Sequence, residues 1–245
     1  MRIVRYELDG RVGTGVLEGD VVRDGNLAAR LDRVTLLAPC EPRTIVCVGS
    51  NYPCQVAEKG RPWPERPALF LKTPNSVIGP GRAVERPSEV DRLEYEGELA
   101  VVIGRRARDV REDDYAHYVL GYTCANDVTA HDWRADGQWA RAKSADTFCP
   151  LGPWIETEPP GAAELTTRCN GEEVQRSGID RMIFGIGEIL AYVTRYFTLS
   201  PGDVVLTGSP AGVGPMADGD RVTVEIDGVG ALTNPVTTRT KETHR

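Results

Sequence analysis

The segment that most constrains this chain is Leu93-Glu94-Tyr95-Glu96-Gly97-Glu98-Leu99-Ala100-Val101-Val102-Ile103-Gly104. Its second half is an apolar run ended by glycine, the pattern of a buried strand. Strand side chains alternate between faces, so extended backbone sends Glu94, Glu96 and Glu98 the same way. Like charges grouped at the end of a buried strand are unfavourable unless a cation neutralises them. Oxygen donors with no His or Cys nearby in sequence select a hard cation, Mg²⁺, Mn²⁺ or Ca²⁺. The alternative is a solvated acidic edge strand.

A chain of 245 residues with 40% hydrophobic content can bury a full core as one domain with a small appendage. The formal net charge of -7 argues against nucleic acid and anionic membrane as partners, which need clustered Lys and Arg. No stretch approaches the roughly 18 apolar residues of a membrane helix, and the start from Met1 to Glu7 lacks the apolar run of a signal peptide. The expectation is a cytoplasmic protein. Six scattered cysteines without a C-x-x-C pair read as reduced, mostly buried thiols.

Residues 1 to about 25 alternate around the turn dipeptides Asp9-Gly10 and Glu18-Gly19, a small β-meander. A short helical or irregular piece is expected over Leu27 to Leu37, and Pro39 and Pro42 mark the link to the main body. The division is therefore 1–42 as a small N-terminal β region and 43–245 as the main unit. Thr44 to Gly49 reads as a buried strand, followed by a short helix with Pro53 in its first turn and Gly60 at its end. Gln55 and Glu58 stand three apart on that helix and share a face. Ala68 to Lys72 is another strand. Asp109 to Glu112 has capping-box spacing and predicts a helix through Tyr118. The strand Tyr122 to Ala125 delivers Asn126-Asp127 to its end, and the polar, aromatic stretch 131–150 suits an active-site wall. Ile186, Ile189, Leu190, Val193 and Phe197 recur at helical spacing. Thr207 to Gly214 forms a Gly-rich loop whose N–H groups can hold a carboxylate, and it is not a P-loop. Val222, Val224 and Ile226 lead into the hairpin signal Asp227-Gly228, and the tail from Thr237 is expected to fray.

Six of these stretches, in order over about residues 44–235, together resemble the fumarylacetoacetate hydrolase superfamily. They are Ile45 to Gly49 with Asn51-Tyr52; Glu96-x-Glu98 with Leu99 to Gly104; Gly121 to Thr123 with Asn126 to Ala130; Gln138-Trp139-x-Arg141-Ala142-Lys143; Asp146 to Pro153; and Pro201-Gly202-Asp203 leading to Thr207 to Gly214. The resemblance implies a β-rich α+β fold, a rolled mixed sheet around the site preceded by a small N-terminal β region. It also implies a homodimer and Mg²⁺ or Mn²⁺ held by Glu96, Glu98 and Asp127, with Ca²⁺ a substitute in vitro, and it leaves Glu94 at the rim. The substrates it implies are small carboxylates, namely 2-oxo acids and 2-hydroxydienoates, which react through an enolate. Lys143 matches the family's active-site lysine, either stabilising developing charge or partnering Asp127 or Glu96. Arg141 is a candidate clamp for a substrate carboxylate, an exposed surface arginine being the alternative. Thr207, Gly208 and Tyr52 complete the expected substrate contacts.

One departure matters. Hydrolytic relatives carry His three residues before Glu in the helix after Asn-Tyr, and here that position is Gln55 while Glu58 remains. An amide cannot take a proton at neutral pH, so a general-base contribution of roughly 10²- to 10⁴-fold to water attack is missing. This favours isomerisation, tautomerisation or decarboxylation over carbon-carbon hydrolysis. A hydrolase using Glu58 without the His, and a non-catalytic metal or metabolite binder, are the alternatives. Cys54, His117 and His131 are assigned no catalytic role.

Overall fold

The computed structural model describes residues 1–239. Among these residues the alternating segments pair into three sheets, one of 12 strands, one of 3 and one of 5. At the N-terminus the strands Arg2–Leu8, Arg11–Glu18 and Val21–Asp24 form the expected meander, with Asp9 and Gly10 both at positive φ in the first tight turn. Its edge does not stop there. Arg2 and Ile3 pair with Glu156 and Ile155, so the meander extends the large sheet while keeping its own apolar cluster of Val4, Tyr6, Leu17 and Val22.

Next in the large sheet come Cys149–Glu156, Val119–Asn126, Gly97–Ile103, Val204–Leu206, Ile45–Gly49 and Ala68–Lys72. Gly97–Ile103 lies in the middle and is buried along its whole length. Leu99, Val101 and Ile103 pack against Leu165, Val224, Leu232 and the helix residues Ile189, Leu190 and Val193. Ala100 and Val102 face the other way, onto Cys47, Cys149, Leu151 and Leu206. By strand alternation Glu98 belongs to this second, inner face. A carboxylate there closes one end of an otherwise apolar interior.

Among the described residues four short α-helices decorate the sheets: α1 (Pro53–Glu58), α2 (His131–Ala135), α3 (Trp139–Ser144) and α4 (Ile186–Thr194). Pro53 occupies the first turn of α1, where its missing N–H costs nothing. Among the described residues no helix is long and apolar enough to cross a membrane.

Three local expectations give way. Leu27–Arg30 is a strand paired with Val21–Asp24, and a single 3₁₀ turn, Leu31–Arg33, supplies the helical part of that stretch. The capping box at Asp109 does not form. Asp109 sits at φ 49°, its N–H donates to the Thr194 carbonyl, and Val110 N–H donates to Thr194 Oγ1, so the backbone is committed to the end of α4. A 3₁₀ segment, Glu112–Tyr118, follows without a side-chain cap. At the other end, Thr237 to Arg239 continue the strand Gly230–Arg239, paired in parallel with Val84–Pro87, and the rest of the expected frayed tail lies outside the described residues.

Candidate metal centre

The acidic segment is not one strand. Leu93–Tyr95 pairs with Thr129–Ala130 and Gly214–Met216 in the three-stranded sheet, whereas Gly97–Ile103 belongs to the large one, and the chain crosses between them at Glu96. Gly97 makes the crossing possible. A Cβ there would lie 2.0 Å from Thr167 Oγ1, on the five-stranded sheet beneath. Glu94 is thereby separated from the other two carboxylates. It is buried, not at the rim, and it accepts from Arg92 Nε at 2.8 Å and Arg134 Nη2 at 3.4 Å.

Register brings in the third carboxylate. Gly97 pairs with Asn126, Asp127 N–H donates to the Glu96 carbonyl at 2.8 Å, and Glu96 N–H donates to Asn126 Oδ1 at 2.9 Å. Glu96, Glu98 and Asp127 are all buried and present carboxylate oxygens within 4.8 Å of one another. Glu98 Oε2 accepts from the Gly208 N–H at 2.7 Å, so the Gly-rich loop does hold a carboxylate, one of the chain's own.

Two lysines face this cluster. Lys143, from α3, spends its three donors on Glu96 Oε1 at 3.0 Å, Thr129 Oγ1 at 2.7 Å and Asp127 Oδ2. Burial alone would lower its pKa, but Asp127 and Glu96 outweigh burial and raise it above the usual lysine range. It stays an ammonium. Lys72 ends the strand Ala68–Lys72 with its Nζ 2.8 Å from Asp127 Oδ1. Its three protons go to the carbonyls of Val128, Lys143 and Phe148. Asp127 Oδ1 therefore feels the charge yet accepts no hydrogen bond, a buried lone pair without a donor.

That orphaned oxygen tests whether the residues fit a cation, and they do. The donor set is all oxygen, as a hard divalent ion requires, and the small cavity above it, about 30 Å³, is large enough to admit an ion. Burial, reinforced by Asp127 and Glu96 and opposed by the Gly208 N–H, pushes the Glu98 carboxyl well above its ordinary range. Burial opposes ionisation of Glu96 too, but Lys143 and Lys59 prevail and lower it. The thiols of Cys47 and Cys149 lie close enough to Asp127 to feel its charge, and burial raises both, Cys149 to about 12.

Gln55 is the residue of α1 that lines the same cavity. Its Nε2 donates to Ser209 Oγ at 3.0 Å, and Ser209 in turn approaches Glu96 Oε2 at 3.4 Å. A carboxylate can only accept here, so Ser209 is its donor and the amide N–H₂ must be the donor to Ser209. Gln55 Oε1 is left buried and unpartnered. Glu58 does not join it at this cavity. It accepts from the Gly212 N–H at 3.0 Å and lines a separate outer cavity.

Other expected contacts lie elsewhere. Arg141 stacks 4.6 Å over Trp133 and pairs with Asp136, away from the carboxylates. Thr207 Oγ1 donates to the Leu99 carbonyl at 3.0 Å, and Tyr52 is wholly buried with its hydroxyl unpartnered. The arginines that line the cavity are Arg61 and Arg134, the latter with its Nη1 3.8 Å from Glu96 Oε1. Arg134, Lys59, Lys72 and Ser209 escaped assignment in the sequence. Only Lys72 carries a signal of its own, a charge ending an otherwise apolar strand.

The family model described as "Fumarylacetoacetate (FAA) hydrolase C-terminal" matches residues 44–237. The chain belongs to this family. A mitochondrial oxaloacetate tautomerase of Xenopus laevis, fahd2, is 40% identical over 218 residues, 83% of this chain and 68% of the relative. Among solved structures, a 5-carboxymethyl-2-hydroxymuconate delta-isomerase from Mycobacterium smegmatis is 43% identical, covers 98% of this chain and 100% of its own, and superposes with a TM-score of 0.93. A 2-hydroxyhepta-2,4-diene-1,7-dioate isomerase from Mycobacterium marinum is 39% identical with the same coverage and a TM-score of 0.90. This family member is thus an enzyme with tautomerase and isomerase relatives.

Proposed function

We propose that this enzyme interconverts tautomers or double-bond isomers of a small 2-oxo acid or 2-hydroxydienoate, with Mg²⁺ or Mn²⁺ held by Glu96, Glu98 and Asp127. A hard divalent cation at that site supplies Lewis-acid stabilisation of the enolate through which these reactions, and decarboxylation of a 3-oxo diacid, all pass. Lys143 stays charged and fixes Asp127 and Glu96 as ligands, adding positive potential where enolate charge develops. The single observation that carries the choice of reaction is Gln55. At the position where a base would prime water, an amide is tied to Ser209, and the Glu58 carboxylate is engaged by the Gly212 N–H instead. The names of the frog and mycobacterial relatives point the same way. We extend the proposal to a cytoplasmic homodimer, the assembly being the one the family resemblance implies.

The test is a panel of enol-oxaloacetate, an acylpyruvate and a 2-hydroxydienoate, each assayed with Mn²⁺ and after EDTA. The expected result is metal-dependent tautomerisation or isomerisation, with acylpyruvate cleavage slower by about 10²-fold or more. Fast acylpyruvate cleavage would instead establish a hydrolase using Glu58, and metal binding with no turnover would establish a binder.

A further inference from the structure

The wall around the triad is lopsided in its hydrogen-bonding chemistry. Among the side chains that line the cavity, those of Lys59, Arg61, Arg134, Trp139 and Lys143 can only donate. Glu96, Glu98 and Asp127 accept, and they are the proposed ligands of the cation. Two hydroxyls are already engaged, Ser50 Oγ by Arg61 at 3.2 Å and Ser209 Oγ by Gln55 and Glu96. Gln55 Oε1 is then the neutral side-chain acceptor at this cavity that no donor reaches among the described residues.

Gln55 is only 2% exposed, and a buried acceptor without a donor is unfavourable. The neighbouring pair fixes which end of the amide is left over. Ser209 must donate to the Glu96 carboxylate, the Gln55 N–H₂ donates to Ser209, and the amide oxygen takes no part in this chain of bonds. The cavity of about 30 Å³ holds roughly two water-sized groups, enough for an ion and one ligand oxygen beside it. A ketone or carboxylate oxygen offers Gln55 Oε1 nothing. A hydroxyl offers it a proton.

We infer that Gln55 Oε1 accepts a hydrogen bond from the enol hydroxyl of the bound acid, so that the site holds the hydroxyl form of its ligand in preference to the 2-oxo form. The inference rests on the proposed function, which sets the reacting end over the triad. The oxygens of an ionised 2-oxo acid are all acceptors, and the donors of the wall and the cation serve them. Its enol differs by one O–H, and Gln55 is where that proton can point without competing for a ligand of the cation. The amide accepts the bond but does not take the proton at neutral pH. A side chain that cannot act as a base thus tells one tautomer from the other.

The experiment titrates Mn²⁺-loaded protein by calorimetry with lactate, each enantiomer in turn, and with pyruvate, which carries an oxo group in place of the hydroxyl. In Gln55→Met the ratio of lactate to pyruvate affinity should fall by about fivefold or more, the worth of one buried hydrogen bond, while pyruvate binding changes by less than about twofold. Gln55→Glu keeps an acceptor oxygen and should keep the ratio; a ratio lost there too makes Gln55 a packing residue and overturns the inference. A ratio unchanged in Gln55→Met overturns the inference and leaves the proposed function standing, and a loss of Mn²⁺ affinity alongside it assigns the acceptor to water on the ion instead. A ratio that rises in Gln55→Met overturns the inference by placing the amide N–H₂ in the cavity. Wild-type protein that binds Mn²⁺ but neither acid overturns the inference together with the reading of the site beneath it.

Discussion

At the scale of single residues, the site is a charge problem that the fold leaves half-solved. Glu98 retains in the folded state a proton that the unfolded chain gives up near the ordinary carboxyl pKa of about 4.3. Between that value and its raised folded pKa the native state binds more protons, so metal-free stability falls as pH rises. The lowered Glu96 loses its contribution only below the usual carboxylate range, and the raised Lys143 only in strong alkali, so neither obscures the effect near neutrality. Metal-free protein should therefore melt lower at pH 8 than at pH 5, and Mn²⁺ should reverse the trend because its ligands must be deprotonated. In Glu98→Gln the Glu98 part of that slope and most of the Mn²⁺ shift should vanish. Melting curves with EDTA and with Mn²⁺ check this, and an undiminished Mn²⁺ shift would remove Glu98 from the ligand set. Lys143→Met removes the ammonium shared by Glu96 and Asp127, leaving them only Arg134 and Lys72 as cationic neighbours, and should cost about 3 kcal/mol in urea unfolding without metal. Mn²⁺ should restore part of that stability but not turnover.

At the scale of elements, the Gly-rich loop and the turn before Val204–Leu206 hold the carboxylates in place. Gly208 has φ 98°, and a Cβ there would meet Asn51 Cβ at 2.7 Å. Gly208→Ala should lower stability by about 1–3 kcal/mol and weaken Mn²⁺ binding, since the displaced N–H is the one on Glu98; titration calorimetry reads the second effect. Asp203 accepts from the N–H groups of Arg43, Thr44 and Ser200, tying the start of Ile45–Gly49 to its parallel neighbour Val204–Leu206. Asp203→Ala should cost about 3 kcal/mol, because backbone donors lose a charged acceptor, with KM for any substrate unchanged. The strands with strong period or β-branched runs, such as Ile45–Gly49, Gly97–Ile103 and Arg221–Ile226, were legible in the sequence because burial pattern and propensity agree there. The helix expected after Asp109 was not, because its capping side chain lost to backbone bonds with Thr194, a residue far along the chain.

At the scale of the whole molecule, the N-terminal meander and the main body share a sheet. Removing residues 1–42 would expose the edge of Cys149–Glu156 and strip Trp154 of the Tyr6 cluster packed against it. The truncated chain should melt several degrees lower and associate on size exclusion, since an uncovered strand edge invites pairing with another copy.

The residue types of the site were decided by sequence alone. Carboxylates spaced by two before a buried run, Asp127 at a strand end and an amide at Gln55 are local facts. Which carboxylate stands apart was decided only by tertiary structure. The chain changes sheets at Glu96, so Glu94 finds Arg92 and Arg134 instead of the cluster. Strand register likewise set Asp127 against Glu96 and brought Lys72 behind it, while α2 and α3 turned Arg141 outward and Arg134 inward. Charge partners separated by tens of residues are chosen by how sheets stack and register, which no short window of sequence contains.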